Sequence, residues 1–128
     1  MKQRVEKPWG YEIIWARTGD YVGKMLFIRK GHRLSLQYHN QKDETIYLHS
    51  GQMYFTVQEG GELVQKTLRP GDEYHIPPLT KHRMEALEDC EVFEASTPQL
   101  DDVVRLEDSY GRAAPGAGGG ATSKGKRP

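Results

Sequence analysis

A chain of 128 residues is one domain by length, and a body of that size buries roughly two thirds of its unfolded surface, enough for a core without staples. Its 18 basic and 18 acidic residues cancel, but four basic ones (Arg112, Lys124, Lys126 and Arg127) lie from position 112 onward with no acid among them, leaving 14 against 18, a net of −4, in the body. An acidic body argues against a nucleic-acid surface, a lone Cys90 excludes an internal disulfide, and no apolar run suits a signal peptide or a membrane span, so a cytoplasmic protein is the default expectation.

Residues 1–10 are polar and close on Lys7-Pro8-Trp9-Gly10, which reads as a turn-like lead-in rather than a strand, with Trp9 as a core anchor. Short apolar or alternating runs follow: Tyr11–Ala16, Tyr21–Arg29, Arg33–His39, Glu44–His49, Met53–Gln58, Glu62–Leu68, Glu73–Ile76, His82–Ala86 and Glu91–Ala95. Turn residues separate them, as in Thr18-Gly19-Asp20, Glu59-Gly60-Gly61 and Arg69-Pro70-Gly71-Asp72. Many short strands without a ten-residue helical period predict an all-β antiparallel sandwich or barrel over residues 11–111. Residues 97–111 form a short C-terminal extension of that domain, with one helical turn expected near Asp101. Residues 112–128, rich in Gly, Ala and Pro and without core-forming side chains, predict a disordered basic tail.

The stretch Arg33–His39 alternates, so Gln37 and His39 share a face opposite Leu34, Leu36 and Tyr38. After a polar turn, Glu44 falls on the same parity as Ile46 and Leu48, and a carboxylate on an apolar strand face is costly unless neutralised. Downstream, His82 opens a strand with Met84 and Ala86 on its own parity. Gln37, His39, Glu44 and His82 together make a mixed nitrogen and oxygen donor set, suited to a divalent ion: zinc first, with iron, manganese, nickel or cobalt as alternatives. The plainer alternative is a group of polar core residues satisfied by hydrogen bonds. His49 lies on the opposite parity, His32 in a turn, and His75 just before Pro77 and Pro78. Lys24 shares a face with Val22, Leu26 and Ile28; such a lysine either snorkels outward or has a lowered pKa and a task. Glu94 falls on the face of Val92 and Ser96.

These residues carry a family resemblance. Gly31, Gln37, His39, Glu44 and Gly51 fall at the spacing of the first cupin motif, with Gln in place of its first His; Gly71, Pro77 and His82 fall at that of the second, where Leu79 and Ala86 replace the usual Gly and Asn. The resemblance implies a single jelly-roll β-barrel. More narrowly, the chain resembles the C-terminal cupin domain of type II phosphomannose isomerases, often fused to mannose-1-phosphate guanylyltransferases. That likeness rests on Pro8-Trp9-Gly10 with Glu12, on Lys24, on Leu34-Ser35-Leu36-Gln37 before His39, on Ile76-Pro77 with His82-Arg83, and on Asp101 to Arg105 through Asp108, Tyr110, Gly111 and Arg112. The chain departs from the isomerases at Asn40, Lys42, Thr45 and Ile46, where they carry His, Arg, His and Trp; Lys42 keeps a charge without an arginine's fork.

The resemblance implies metal-dependent aldose–ketose isomerisation of a sugar or sugar phosphate through an enediolate. Lys24 and Glu94 are the candidates for proton transfer and positioning. Arg112 would bind a phosphate, with Arg105 or Lys42 helping, although a salt bridge pinning the extension would also account for the two arginines. A homodimer is expected as well. Two other functions fit the same residues: an iron(II) dioxygenase built on His39, Glu44 and His82 alone, and a non-catalytic sugar-binding cupin.

Overall fold

The computed structural model describes residues 2–112, so the expected tail beyond Arg112 lies outside the described residues. Within them the chain forms eleven strands and no helix: β1 (Gln3–Lys7), β2 (Gly10–Arg17), β3 (Val22–Ile28), β4 (Leu36–Tyr38), β5 (Glu44–Ser50), β6 (Met53–Glu59), β7 (Glu62–Leu68), β8 (Glu73–Ile76), β9 (His82–Ala86), β10 (Cys90–Ser96) and β11 (Val104–Glu107). They assemble into a six-stranded sheet, β1-β2-β3-β10-β5-β8, and a five-stranded sheet, β11-β4-β9-β6-β7, with every pairing antiparallel. The arrangement is that of a jelly roll, although the two ladders do not join into one closed ring among the described residues.

Period-two alternation builds the interior. In β5 the buried residues are Glu44, Ile46 and Leu48, in β6 Met53, Phe55 and Val57, and in β10 Cys90, Val92, Glu94 and Ser96. Phe55, Ile28, Ile46, Leu48 and Val92 are at most 1% exposed, and each such side chain contributes about 1.5–3 kcal/mol on burial. Trp9 belongs to this core, as expected. Gly10, beside it, is obligatory: its φ is +156° and a Cβ there would lie 1.9 Å from the Phe27 carbonyl oxygen.

Two readings need correction. Residues 1–10 are not a strandless lead-in, because β1 pairs along its whole length with β2 as the sheet's outer edge. Its polar composition is that of an edge strand, exposed at Gln3, Arg4 and Glu6 while Val5 and Lys7 turn partly inward. The extension likewise contains a strand instead of a helical turn: β11 pairs with β4. The Asp102 carboxylate is engaged by backbone amides of the Asn40–Lys42 loop, which removes it as a helix cap.

The extension is tied down beyond β11. Arg83 donates to the Leu34 and Glu107 carbonyls and to the Glu107 carboxylate, Arg33 donates to Ser109 Oγ, and Tyr110 stacks on His32 with its hydroxyl 2.6 Å from the ring. It therefore crosses one end of the sandwich as a strap. Beneath it the inner face of the six-stranded sheet turns from apolar to charged, with Glu12, Lys24, Glu94 and Glu44 on adjacent strands.

Candidate metal centre

Three donors converge under the strap. His39 follows β4, Glu44 opens β5 and His82 opens β9; all three are at most 3% exposed, and one ligand atom from each lies within 4.8 Å of the others. His39 Nδ1 faces the Asp102 carbonyl at 2.6 Å and His82 Nδ1 faces the Thr80 carbonyl at 2.9 Å. A carbonyl only accepts, so each Nδ1 carries a proton, and in the neutral ring each Nε2 presents a bare lone pair. Those two nitrogens lie 2.8 and 3.4 Å from the same oxygen, Glu44 Oε2, and none of the three atoms has a hydrogen-bond partner.

Three buried acceptors aimed at one another are unfavourable unless a cation lies among them. Metal bonds of about 2.0–2.2 Å meeting at 90–110° would hold donor atoms roughly 3.0–3.5 Å apart, close to the separations found here. The residues thus fit a divalent ion. Burial works to raise the Glu44 carboxyl, but bonds from the His39 and His82 rings when they carry a proton toward it, together with the Lys42 charge, outweigh it and hold the group well below the usual carboxylate range. It is anionic and ready to ligate. Gln37 pairs in register with His82 and lines one cavity with His39 and Glu44, but its Oε1 accepts a bond from Ser35 Oγ at 2.5 Å.

A buried series of alternating charges adjoins the three donors. Lys42 Nζ lies 3.6 Å from Glu44 and 2.9 Å from Glu94 Oε2; Lys24 Nζ lies 3.9 Å from Glu94 and 2.8 Å from Glu12; Glu12 lies 3.5 Å from Lys7. The contact of Lys42 with Glu94 is an ion pair without hydrogen-bond alignment, since Glu94 Oε2 is buried with no such bond. Burial and the Glu44 charge push the Glu94 carboxyl up, against the pull of Lys42 and Lys24. Burial alone would lower the Lys42 ammonium, yet Glu94 and Glu44 raise it well above its ordinary value. Burial also favours a neutral Glu12, but Lys24 outweighs it and keeps Glu12 lowered.

Lys24 does not snorkel: it is 8% exposed and held between two carboxylates. Lys42 is 5% exposed and engaged by Glu94 and Glu44. Arg112 is gripped by Asp108 through its amide, Nε and a terminal nitrogen, which is the pinning bridge considered above, yet it also lines the cavity. Arg105 lines it too, and its Nε is buried without a hydrogen-bond partner. Burial, then the neighbouring Arg112 charge, lowers the Arg105 guanidinium. The remaining histidines stay outside: His49 is exposed, and His75 pairs with Asp43 at 2.6 Å on the surface.

Sequence reasoning gave no separate role to Glu12 or Asp102. Glu12 carries the same signal that marked Glu44, a carboxylate on the inward parity, here with Ile14. Asp102 carries no local signal, since its partners are about sixty positions away: its carboxylate accepts the amides of Asn40, Gln41 and Lys42 at 2.9, 2.6 and 2.9 Å.

Two facing antiparallel sheets with a two-histidine, one-carboxylate cluster under one end define a β-sandwich with a candidate metal centre. The family model described as "Cupin domain" matches residues 25–95, more than half of the chain, which therefore belongs to the cupin family. The chain is 34% identical over 118 residues to the mannose-1-phosphate guanylyltransferase ManC of Salmonella typhimurium, covering 88% of this chain and 24% of that protein. It is 33% identical over 115 residues to the alginate biosynthesis protein AlgA of Pseudomonas aeruginosa, covering 86% and 23%. The chain thus spans about a quarter of the length of these curated relatives. Among solved structures, KdgF from Halomonas sp. superposes with a TM-score of 0.64 at 29% identity, over 79% of this chain and 88% of that one.

Proposed function

We propose that this chain is a metal-dependent cupin isomerase that interconverts an aldose and a ketose, a sugar phosphate by preference, through an enediolate. One observation carries the reading: a cavity of about 80 Å³ is lined by two of the three metal donors, His39 and Glu44, with His82 Nε2 at 3.4 Å from Glu44, and by the buried Glu94 and Lys24 and by Arg105 with its unpartnered Nε. His39, Glu44 and His82 would hold the ion, zinc first; Gln37 would join only by giving up its bond from Ser35. The ion when bound supplies Lewis-acid polarisation of adjacent carbonyl and hydroxyl oxygens.

The chain's own groups supply the rest. Glu94, pushed up by burial and by Glu44, suits a group that takes a proton from one carbon and returns it to the next. Lys42 and Lys24 hold its carboxylate from two sides, Lys42 at 2.9 Å in a positioning role beside the metal carboxylate and Lys24 at 3.9 Å as the cation shared with Glu12. Arg105 has free donor capacity for a phosphate, and Arg112, oriented by Asp108, adds charge beside it. The cavity has room for about three waters at ~30 Å³ each, enough for the reacting end of a sugar; the rest of the substrate lies toward the two arginines.

The test is a panel of aldose and ketose phosphates of three to six carbons, incubated with metal-loaded protein and followed by carbon NMR. Conversion of at least one, lost in Glu94→Gln with metal content unchanged, supports the reading; no conversion of any removes it. The engagement of Gln37 by Ser35 also keeps the iron(II) oxygenase alternative in play, because it leaves the bare two-histidine, one-carboxylate set. Oxygen consumption by the iron form but not the zinc form would select that alternative.

A further inference from the structure

Lys24 is bonded to the wrong neighbour. In the ladder between β3 and β10 it stands directly opposite Glu94, whereas on β2 its direct partner is Ile14 and Glu12 is opposite Leu26, two positions along. Side chains directly opposite on one sheet face start about 5 Å apart at Cβ, diagonal ones about 7–8 Å. Register alone therefore assigns the Lys24 ammonium to Glu94. Instead Lys24 Nζ donates to Glu12 Oε1 at 2.8 Å and stays 3.9 Å from Glu94, beyond hydrogen-bonding reach. All three side chains are at most 8% exposed, so the choice is made inside the protein.

The diagonal bond changes what Glu94 presents. Lys42 and Lys24 both make their closest approach to Oε2, which is sealed from solvent, so Oε1 is the oxygen left for the cavity that Glu94 lines. A carboxylate tied by two ammonium groups is a poor acceptor for a proton from carbon, because both charge-assisted bonds must weaken as the proton arrives. Glu12 prevents that second tie. Its other oxygen faces Lys7 Nζ at 3.5 Å, and the Lys7 side chain is 27% exposed and can turn to water. Lys7, Glu12 and Lys24 also line an adjoining cavity of about 230 Å³ beside Leu100 and Asp101 of the strap. Without Glu12, the Lys24 ammonium has two places to go: across to Glu94, or outward into that cavity.

We propose that Glu12 is a positioning residue for the reaction: it draws Lys24 diagonally across the sheet, away from Glu94, and so keeps one oxygen of the Glu94 carboxylate free for the substrate carbon. The inference rests on the isomerase reading for its kinetic consequence, while the placement of Lys24 can be measured without any substrate. Glu12 touches neither the metal donors nor the reacting atoms and acts only through Lys24. With Glu12 neutralised, the ammonium closes on Glu94, its direct cross-strand partner and the nearest carboxylate remaining to it.

A crystal structure of zinc-loaded Glu12→Gln, with kinetics on whichever sugar phosphate the wild type converts, tests it. Lys24 Nζ should lie within about 3.2 Å of a Glu94 oxygen, with zinc content unchanged. The variant should lose at least about tenfold in kcat with KM within about twofold of wild type, the mark of a group that serves the chemical step and not binding. Glu12→Asp, which keeps the charge, should recover most of that loss. Where Glu12→Gln does not fold, adding Lys7→Met removes the second cation left without its partner and carries the same expectations. A Lys24 that keeps its distance from Glu94 or turns into the adjoining cavity overturns the proposal, and so does an unchanged kcat, a rise in KM alone, or a Glu12→Asp no better than Glu12→Gln. A wild type that converts no sugar phosphate removes the isomerase reading and with it the kinetic role, and the crystallographic distance still decides whether Glu12 places Lys24.

Discussion

Asp102 is the residue through which the strap holds the candidate metal centre. Its carboxylate takes three consecutive backbone amides of the loop that carries Lys42, while its carbonyl takes the Nδ1 proton of His39. Asp102→Ala frees all three amides. Each such bond is worth about 0.5–1.5 kcal/mol net, and water can reach the exposed Asn40 and Gln41 amides, so a total near 2 kcal/mol is expected, not the full sum. For a domain of this size that lowers Tm by about 8 °C. The strap also shifts the carbonyl that fixes the His39 tautomer, and loss of such support typically weakens metal binding 10- to 100-fold.

Asp102 also has a pH signature. Burial acts to raise its carboxyl, but the amides of Asn40, Gln41 and Lys42 outweigh it and pull the pKa down to about 2. A folded value below the unfolded one, about 3.9, means that this stabilisation is complete above about pH 4 and disappears as pH falls toward 2. Wild type and Asp102→Ala should therefore differ in stability at pH 6 and converge near pH 2. The assays are thermal unfolding in chelator, with and without acid, and competition against a chromophoric chelator for zinc affinity. A Tm within 2 °C of wild type at pH 6 together with zinc affinity within twofold would refute the positioning argument.

Other consequences can be measured directly. His82→Ala and His39→Ala should each abolish stoichiometric zinc, read by elemental analysis, and should also lose the metal-dependent rise in Tm; for wild type that rise amounts to about 2.7 kcal/mol at a free-metal level of 100 Kd. Gly10→Ala should fail to give folded protein by circular dichroism, because the new methyl meets the Phe27 carbonyl at 1.9 Å; near-wild-type stability would contradict that clash. Arg105→Ala should raise KM for a phosphorylated substrate at least tenfold with little change in kcat, whereas a purely structural role would move stability instead. Arg83→Met should loosen the strap, exposing the amides of 104–107 to faster hydrogen exchange while those of β5 and β10 stay protected.

What could be read from the chain, and what could not, divides by distance in sequence. The strands were legible because period two is a local signal: Glu44 with Ile46 and Leu48, and Glu94 with Val92, fall on the inward face by parity alone. Two places escaped that logic for identifiable reasons. β1 is a polar edge strand whose outer row faces solvent, so its composition imitates a loop. The Gln99–Val103 stretch puts its Asp102 carboxylate to use on a loop about sixty positions away, so local propensity pointed to a helix start that the fold does not use. The charged series follows the same rule. Parity marks Glu12, Lys24, Glu44 and Glu94 one at a time as costly inward charges, and only the register, with Glu94 opposite Lys24 and Ser96 opposite Glu44, shows that each offsets the next. Lys42 illustrates the limit best. It sits in a loop, where parity has no meaning, and only the resemblance gives it a part, as a helper in phosphate binding. In the fold its loop is bent inward by Asp102, and its ammonium closes the gap between the metal carboxylate and Glu94. An arginine at this position, as in the isomerases the chain resembles, would bring a planar fork into a space that here admits a single ammonium between two carboxylates. Lys42→Arg therefore tests whether this chain has its own site geometry: with zinc affinity retained, a Glu94-dependent activity that falls at least tenfold would mark the lysine as fitted to this cavity, and unchanged turnover would mean that the position tolerates either cation.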